Sequence, residues 1–596
     1  MTERRSGHGS NAIAKLIMIP NALPFDADST SVLVAADFAG TQQLYRLHHR
    51  PGLAKQLTSE AEPIGAGLLL PEGQVVLSRD TRGDENSQLY LLRGAQLEPL
   101  VVHPGSLNWA IQVTNDGSLL AYSSNRRNGR DFDVYLRHLA NGHEWCAFDG
   151  GGIARATGFS PHGGSLAVVR ETNRPHDREL WIIDTRSGAA AEVFAHDEPA
   201  WLGAPAWLDE ARFIVPSTVE REVAALVRED GAVVLESHWN LQCWADRAGR
   251  LLLVEENADG YSRLELRDAE SLDLRHVVQL PGRGVVEQAL FTPDSSSIVF
   301  GFSSPVEPPN VWISPVGGSD AVRLTSIDPP RGLQEPTLHR FESFDALPIP
   351  VFVWTPRGTG PAPVVVMVHG GPESQFRPEW LPSFTPFIQY LLTRGIAVAA
   401  PNVRGSTGYG RHFQHLDDGR LRLNSVQDLA ALHSWIGAHP SLDASRTAIY
   451  GRSYGGYMTL AALAFQPTLW AAGVESVGIS NLVSFLENTS EYRREARERE
   501  YGRLAFDRDF LIEASPLTHA HQIRAPLFIQ HGLNDPRVPL AEAEQIHRVL
   551  TANRVRCELL VYPDEGHRIS RRENRIDFFA RAAAFLEDVL LQHAKH

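Results

Sequence analysis

Three residues in the C-terminal half have the types and the chain order of a nucleophile, its acid and its base. Ser453 stands in Gly451-Arg452-Ser453-Tyr454-Gly455, Asp535 in Gly532-Leu533-Asn534-Asp535-Pro536, and His567 in Asp564-Glu565-Gly566-His567. A serine hydroxyl is a weak nucleophile at neutral pH. It needs a histidine to take its proton, and a carboxylate to hold that histidine in one tautomer and stabilise the imidazolium. The G-x-S-x-G pattern is a nucleophile elbow when a strand precedes it and a helix follows, and on that scaffold the order is Ser, then Asp or Glu, then His. Thr447–Tyr450 is a short apolar run of strand type, and Gly456–Ala464 is small and apolar with helical character. The serine then lies beside the positive end of a helix.

Other residues compete for these roles. His531 is near a strand end too, but it precedes Asp535 and breaks the order. Asp564 and Glu565 are close to His567 in sequence, and near neighbours on one short loop rarely point at the same ring. The charge that develops on the attacked carbonyl oxygen needs preformed donors. One candidate is the backbone N–H of Tyr454, after the nucleophile. The other is Gly371, in the turn His369-Gly370-Gly371-Pro372 that ends an apolar strand. Asn402–Gly410, NVRGSTGYG, lacks the G-K-[ST] ending of a phosphate loop and reads as a wall of the site. No HExxH and no paired CxxC occurs, so neither a metal nor another cofactor is expected.

These loops need a frame. From about residue 328 short apolar strands alternate with helical patterns. After a hairpin-like stretch at 338–356, the strands read 364–371, 396–405, 447–453, 471–478, 526–532 and 557–563, with helices such as SVQDLAALHSWIGAH and AEAEQIHRVLTANR between them. This alternation predicts a doubly wound, mostly parallel sheet with its site at the carboxyl ends of the strands. The stretch 491–500, EYRREARERE, pairs Glu491 with Glu495 and Arg494 with Glu498 at helical spacing. It reads as a solvated helix face, with a lid or subunit contact as the alternative.

The first half repeats a different unit. A turn leads to a strand, a polar loop, and a second strand with an apolar or aromatic anchor. The anchors are Tyr45, Tyr90, Tyr135, Trp181, Leu226, Leu264 and Trp312, spaced 45, 45, 46, 45, 38 and 48 residues apart. A period in the forties with several strands per unit is that of a β-propeller blade. Seven anchors predict seven blades, with Leu226 and Leu264 the weakest of them. The expected domains are an N-terminal segment at 1–24, a propeller at 25–327 and an α/β domain at 328–596. The propeller reads either as a scaffold or as a cover that filters access to the site.

Totals set outer limits. A net charge of −15 disfavours nucleic acid as a partner. The three cysteines, Cys146, Cys243 and Cys557, form no disulfide framework and point to a reducing compartment. Lys15 interrupts the apolar part of the N-terminus, so no signal peptide is read there, and no apolar run approaches the ~20 residues of a membrane helix. The expectation is a cytoplasmic protein with no membrane partner, open to self-association.

In order along the chain, HGGP, NVRGSTGYG, GRSYGGYM, HGLNDPRVP and DEGH resemble the prolyl oligopeptidase family of serine peptidases, with the greatest likeness to its acylaminoacyl-peptidase branch. The resemblance covers roughly residues 340–590 and extends to the first half as architecture, because the family carries a propeller before an α/β-hydrolase domain. It implies cleavage of short peptides through an acyl-enzyme, with Ser453 as nucleophile, Asp535 and His567 as its partners, and Tyr454 and Gly371 at the oxyanion hole. It also implies that Arg537 lies near the substrate. One departure is Asp345-Ala346, where the family often has Asp-Gly. The alternatives left open are a dipeptidyl or other exopeptidase of the same family, an esterase with the same triad, and a binding propeller with an idle hydrolase fold. An intact triad argues against the last.

Overall fold

The structure is a computed structural model that describes residues 11–318, 320–358 and 360–591. The chain forms two compact units, one of residues 20–304 with 308–328, the other of residues from 329 onward grouped with 305–307 and the segment before residue 20. Of the expected segment 1–24, the first ten residues lie outside the described part, and 11–17 are helical. Among the described residues no helix is long and apolar enough to cross a membrane.

The first unit is seven four-stranded antiparallel sheets, each made of four consecutive strands. All seven anchors fall on the third strand of their blade, from Tyr45 on Gln43–His48 to Trp312 on Glu307–Pro315. The repeat read as two strands is therefore the middle of a four-stranded blade. Its fourth strand is short or exposed, as in Lys55–Gln56 and Ala190–Val193, and carries little apolar pattern. Blades are stitched side by side. The Leu69 N–H donates to Asp26 Oδ2 at 2.8 Å, the Ser160 hydroxyl to Glu210 Oε2 at 2.8 Å, and the Ser295 hydroxyl to Asp246 Oδ2 at 2.7 Å. Gly301 of the last blade packs against Leu23 and Pro24 of the first, which closes the ring and leaves neither blade with a bare face.

The second unit is built on one eight-stranded sheet. Its strands are β1 (Thr337–Glu342), β2 (Pro348–Trp354), β3 (Ala362–Val368), β4 (Ala397–Pro401), β5 (Leu442–Arg452), β6 (Ala472–Ser476), β7 (Leu527–Gly532) and β8 (Cys557–Tyr562), in the spatial order β1-β2-β4-β3-β5-β6-β7-β8. The first two and the β2–β4 pair are antiparallel, and every later pair is parallel. Helices that matter below are α1 (Thr385–Thr393), α2 (Arg422–Ala438), α3 (Tyr454–Phe465), α4 (Glu491–Tyr501), α5 (Ala541–Ala552) and α6 (Arg572–Leu591). The central strand β3 is buried at every position, the continuous apolar run of a strand covered on both faces. On one face α3 is buried from Tyr454 to Ala464. On the other, Phe387 of α1 meets Phe579 of α6 with ring centroids 5.0 Å apart, and both contact Tyr450 of β5.

Phe344–Ala346 form the three-residue turn between β1 and β2, and exposed Ala346 sits at φ 63°. A left-handed residue here is the demand of a type I turn with a bulge, which glycine meets without strain. Ala346→Gly is expected to stabilise the unit by about 0.5–1 kcal/mol, the relief of the left-handed strain less the added freedom of the unfolded chain. Thermal unfolding would show it as a rise of roughly 1–4 °C in the midpoint of the hydrolase transition, and a fall would contradict the strain.

Candidate active site

The strand β5 ends at Arg452 and α3 begins at Tyr454, so Ser453 is the single residue that turns one into the other. It holds φ 60°, ψ −119°, a strained conformation for any residue with a side chain. The turn is kept by close backbone approach. A β-carbon on Gly455 would lie 2.2 Å from the Val368 carbonyl oxygen, so only glycine lets α3 pack against the end of β3. The Ser453 N–H donates to the Ser476 carbonyl at 2.9 Å, which ties the elbow to β6.

His567 arrives from the loop after β8, and its Nε2 lies 3.1 Å from Ser453 Oγ. Its Nδ1 lies 2.7 Å from Asp535 Oδ2, in the loop after β7. The other oxygen of Asp535 accepts the N–H groups of Arg537 at 2.8 Å and Val538 at 3.0 Å. Burial pushes the Asp535 carboxyl above its usual range, against the pull of His531 and of those two N–H groups. His567 and Asp535 are both buried, so the pair is shielded while Ser453 is reached from outside. A donor-acceptor chain of this geometry can take a proton from the serine hydroxyl and return it to a leaving group.

The competing residues are engaged elsewhere. His531 lies behind the acid, with Nε2 2.8 Å from the Val538 carbonyl oxygen and 3.8 Å from Asp535 Oδ2, and burial lowers its pKa. Glu565 accepts from the Ser570 N–H at 2.8 Å and the Arg571 N–H at 2.9 Å, and Asp564 pairs with Arg571 at 2.9 Å. Both acids hold the chain at the start of α6. Asp535 is the carboxylate that touches the histidine.

The HGGP turn lies against Ser453. A β-carbon on Gly370 would come within 3.5 Å of Ser453 Cβ. Gly371 has φ 135°, and a β-carbon there would meet the Glu373 nitrogen at 2.7 Å, so the turn demands glycine. Tyr454 is the first residue of α3, where a backbone N–H has no acceptor inside its own helix. The loop 402–410 braces the turn from behind. His369 Nε2 lies 2.8 Å from Ser406 Oγ, and the Asn402 side chain takes the Phe376 N–H at 2.6 Å and donates to its carbonyl at 3.0 Å. Burial pushes His369 down to about 4, so its ring is neutral and structural. Arg537 follows the acid in its loop, and its carbonyl accepts from the Thr489 hydroxyl at 2.7 Å.

One supporting residue was not foreseen. Arg452, the variable position before Ser453, donates to the backbone carbonyl of His567 and so holds the loop of His567 against the elbow. Burial, then the neighbouring Arg568, pushes its guanidinium down to about 10. Nothing in the sequence marks it, because G-x-S-x-G places no demand on that side chain.

Residues 382–593 match the profile of the Prolyl oligopeptidase family. The matched stretch lies within the second unit. Dipeptidyl aminopeptidase BIII of Pseudoxanthomonas mexicana is similar at 28% identity over 94% of this chain and 78% of its own length. The acylamino-acid-releasing enzyme of Sus scrofa is 26% identical over 64% of this chain and 53% of its own. Among solved structures, a puromycin-hydrolyzing peptidase of Mycobacterium tuberculosis superposes with a TM-score of 0.86 at 21% identity, covering 98% of this chain and 96% of that one. The last likeness spans both units and is one of fold.

Proposed function

We propose that this serine peptidase cleaves short peptides through an acyl-enzyme, with Ser453 as nucleophile, His567 as base and Asp535 as its orienting acid. The observation that carries the reading is the hydrogen-bonded chain Ser453–His567–Asp535, at 3.1 and 2.7 Å, assembled from three separate strand ends. Ser453 Oγ attacks the scissile carbonyl carbon while its proton passes to His567 Nε2. The oxyanion is met by the N–H groups of Tyr454 and Gly371. As the C–N bond breaks, the proton moves from His567 to the departing amine and an ester to Ser453 remains. Water, deprotonated by the same histidine, then releases the acid. Arg537 is assigned to substrate binding beside the acid loop. The three unpaired cysteines support a cytoplasmic location as part of the same proposal.

Within the family the main reading is release of a blocked N-terminal residue, as in the name of the Sus scrofa relative. A second reading has its own support. The Pseudoxanthomonas mexicana relative, named as a dipeptidyl aminopeptidase, is similar over both units and not over the hydrolase alone. Initial rates on matched chromogenic amides separate the two. The acylaminoacyl reading expects the N-acetylated amide to be cleaved at least tenfold faster than the free amine. The reverse preference would install the dipeptidyl reading, which requires an acidic group for the substrate amine. Turnover of simple esters with neither amide cleaved would remove the peptidase assignment.

A further inference from the structure

The charged stretch 491–500 has no place in the chemistry above, yet its helix is bonded to two of the loops that carry it and reaches Tyr454 through a relay of side chains. Just before α4, the Ser490 hydroxyl donates to the Pro536 carbonyl at 2.7 Å and the Thr489 hydroxyl to the Arg537 carbonyl at 2.7 Å, so the helix starts on the loop of Asp535. Arg497 comes next. Its side chain is 14% exposed and donates Nη1 to the Gly371 carbonyl at 3.2 Å and Nη2 to Glu373 Oε2 at 3.2 Å. Near the end of α4, buried Glu500 accepts from Arg422, and the other arm of Arg422 holds Asp417. Asp417 Oδ2 in turn accepts the Tyr454 hydroxyl at 3.1 Å. The helix is thus half-buried along much of its length and buried at Glu500 and Tyr501, contrary to the solvated face that its composition suggests.

We infer that α4 sets the spacing of the two oxyanion donors, with Arg497 and Glu500 as its positioning residues. The inference rests on the proposed function, which takes the N–H groups of Gly371 and Tyr454 as those donors. Such donors act only when held in place before charge develops. Gly371 has no side chain through which its neighbours could hold it. The guanidinium on its carbonyl supplies the restraint from outside. Tyr454 is held at its side-chain end by Asp417, and hence by Glu500. Both restraints trace to one rigid helix, which is what keeps two segments more than eighty residues apart in sequence in register.

The test compares wild type with Arg497→Ala and Arg497→Lys. Four quantities are read: kcat and KM on a peptide amide, the Kd of a peptide boronate that forms a tetrahedral adduct on Ser453, the Kd of the matching product peptide, and the thermal midpoint. Loss of a whole oxyanion donor costs roughly 10²–10³ in kcat, so a displaced donor is expected to cost about 10–100-fold. Arg497→Ala is expected to lose that factor in kcat and in boronate affinity together, with KM and product affinity within about threefold. Arg497→Lys, which keeps one donor for the Gly371 carbonyl, is expected to lie between the two, and it carries the test if the alanine variant unfolds. An unchanged kcat, or equal weakening of boronate and product peptide, overturns the inference. Ser453→Ala is the control. If it is inactive while Arg497→Ala turns over normally, this inference alone fails; if Ser453→Ala turns over normally, the parent reading fails and takes this one with it.

Discussion

Ser453→Ala is expected to lower kcat by roughly 10⁴–10⁶-fold on a peptide amide while the protein stays folded. The size follows from the mechanism. Without the hydroxyl no acyl-enzyme can form, and the residual rate is what the oxyanion donors and substrate binding supply alone. Retention of the fold follows from the elbow's construction. The bonds that hold residue 453 are from its backbone, to the Ser476 carbonyl at 2.9 Å and from the Tyr457 N–H at 3.0 Å, and the substitution leaves both. The strain at φ 60°, ψ −119° also stays, because alanine keeps the β-carbon that causes it. A companion variant isolates that strain. Ser453→Gly removes the β-carbon and is expected to unfold at a higher midpoint than Ser453→Ala, by an amount matching about 0.5–2 kcal/mol, the stored strain less the added freedom of the unfolded chain. Both variants should be inactive in initial-rate assays and native by circular dichroism. Activity of the alanine variant within tenfold of wild type would remove the proposed nucleophile. A glycine variant less stable than the alanine one would mean that the turn is not strained as its dihedrals say.

The parts of this molecule that follow a short period were legible from the sequence, and the parts that depend on distant partners were not. The blade repeat is a local pattern of about 45 residues, so Tyr45, Tyr90, Tyr135 and Trp181 marked equivalent strands correctly. The fourth strand of each blade escaped because exposed residues such as those of Ala190–Val193 carry no apolar alternation. In the hydrolase unit the predicted strands match β3 to β8 within a few residues, but their spatial order has β4 between β2 and β3, which no local pattern records. Chain order and strand-end position were enough to bring Ser453, Asp535 and His567 forward. They were not enough to say what Asp564 and Glu565 do, and the structure answers that through Ser570 and Arg571. The stretch 491–500 was misread for the same reason. Its i to i+4 pairs are visible in sequence, whereas Arg422, which pairs with Glu500, lies 78 residues away. A buried ion pair and a solvated helix face have the same composition and differ only in what stands opposite.

Asp535→Asn is expected to lower kcat by about 10⁴-fold with little change in stability, and the reason lies in which atom of the amide must face the base. One carboxylate oxygen of Asp535 accepts two backbone N–H groups, from Arg537 at 2.8 Å and Val538 at 3.0 Å. An amide NH₂ placed there would face two donors, so the asparagine must keep its carbonyl oxygen on that side. Its NH₂ then points at His567 Nδ1, which in the wild type lies 2.7 Å from Asp535 Oδ2. An NH₂ is a donor only, so Nδ1 must present its lone pair and the ring proton moves to Nε2. That is the nitrogen 3.1 Å from Ser453 Oγ, and with a proton on it the ring cannot accept the serine's. The base remains in position and in the wrong tautomer, the case for which a loss of this size is known in serine hydrolysis. The expected signature is a fall in kcat with KM within a few fold, because no substrate contact is altered. A loss below tenfold would mean that the acid does not set the tautomer. A loss shared equally between kcat and 1/KM would place Asp535 among the groups that bind substrate and not behind the base.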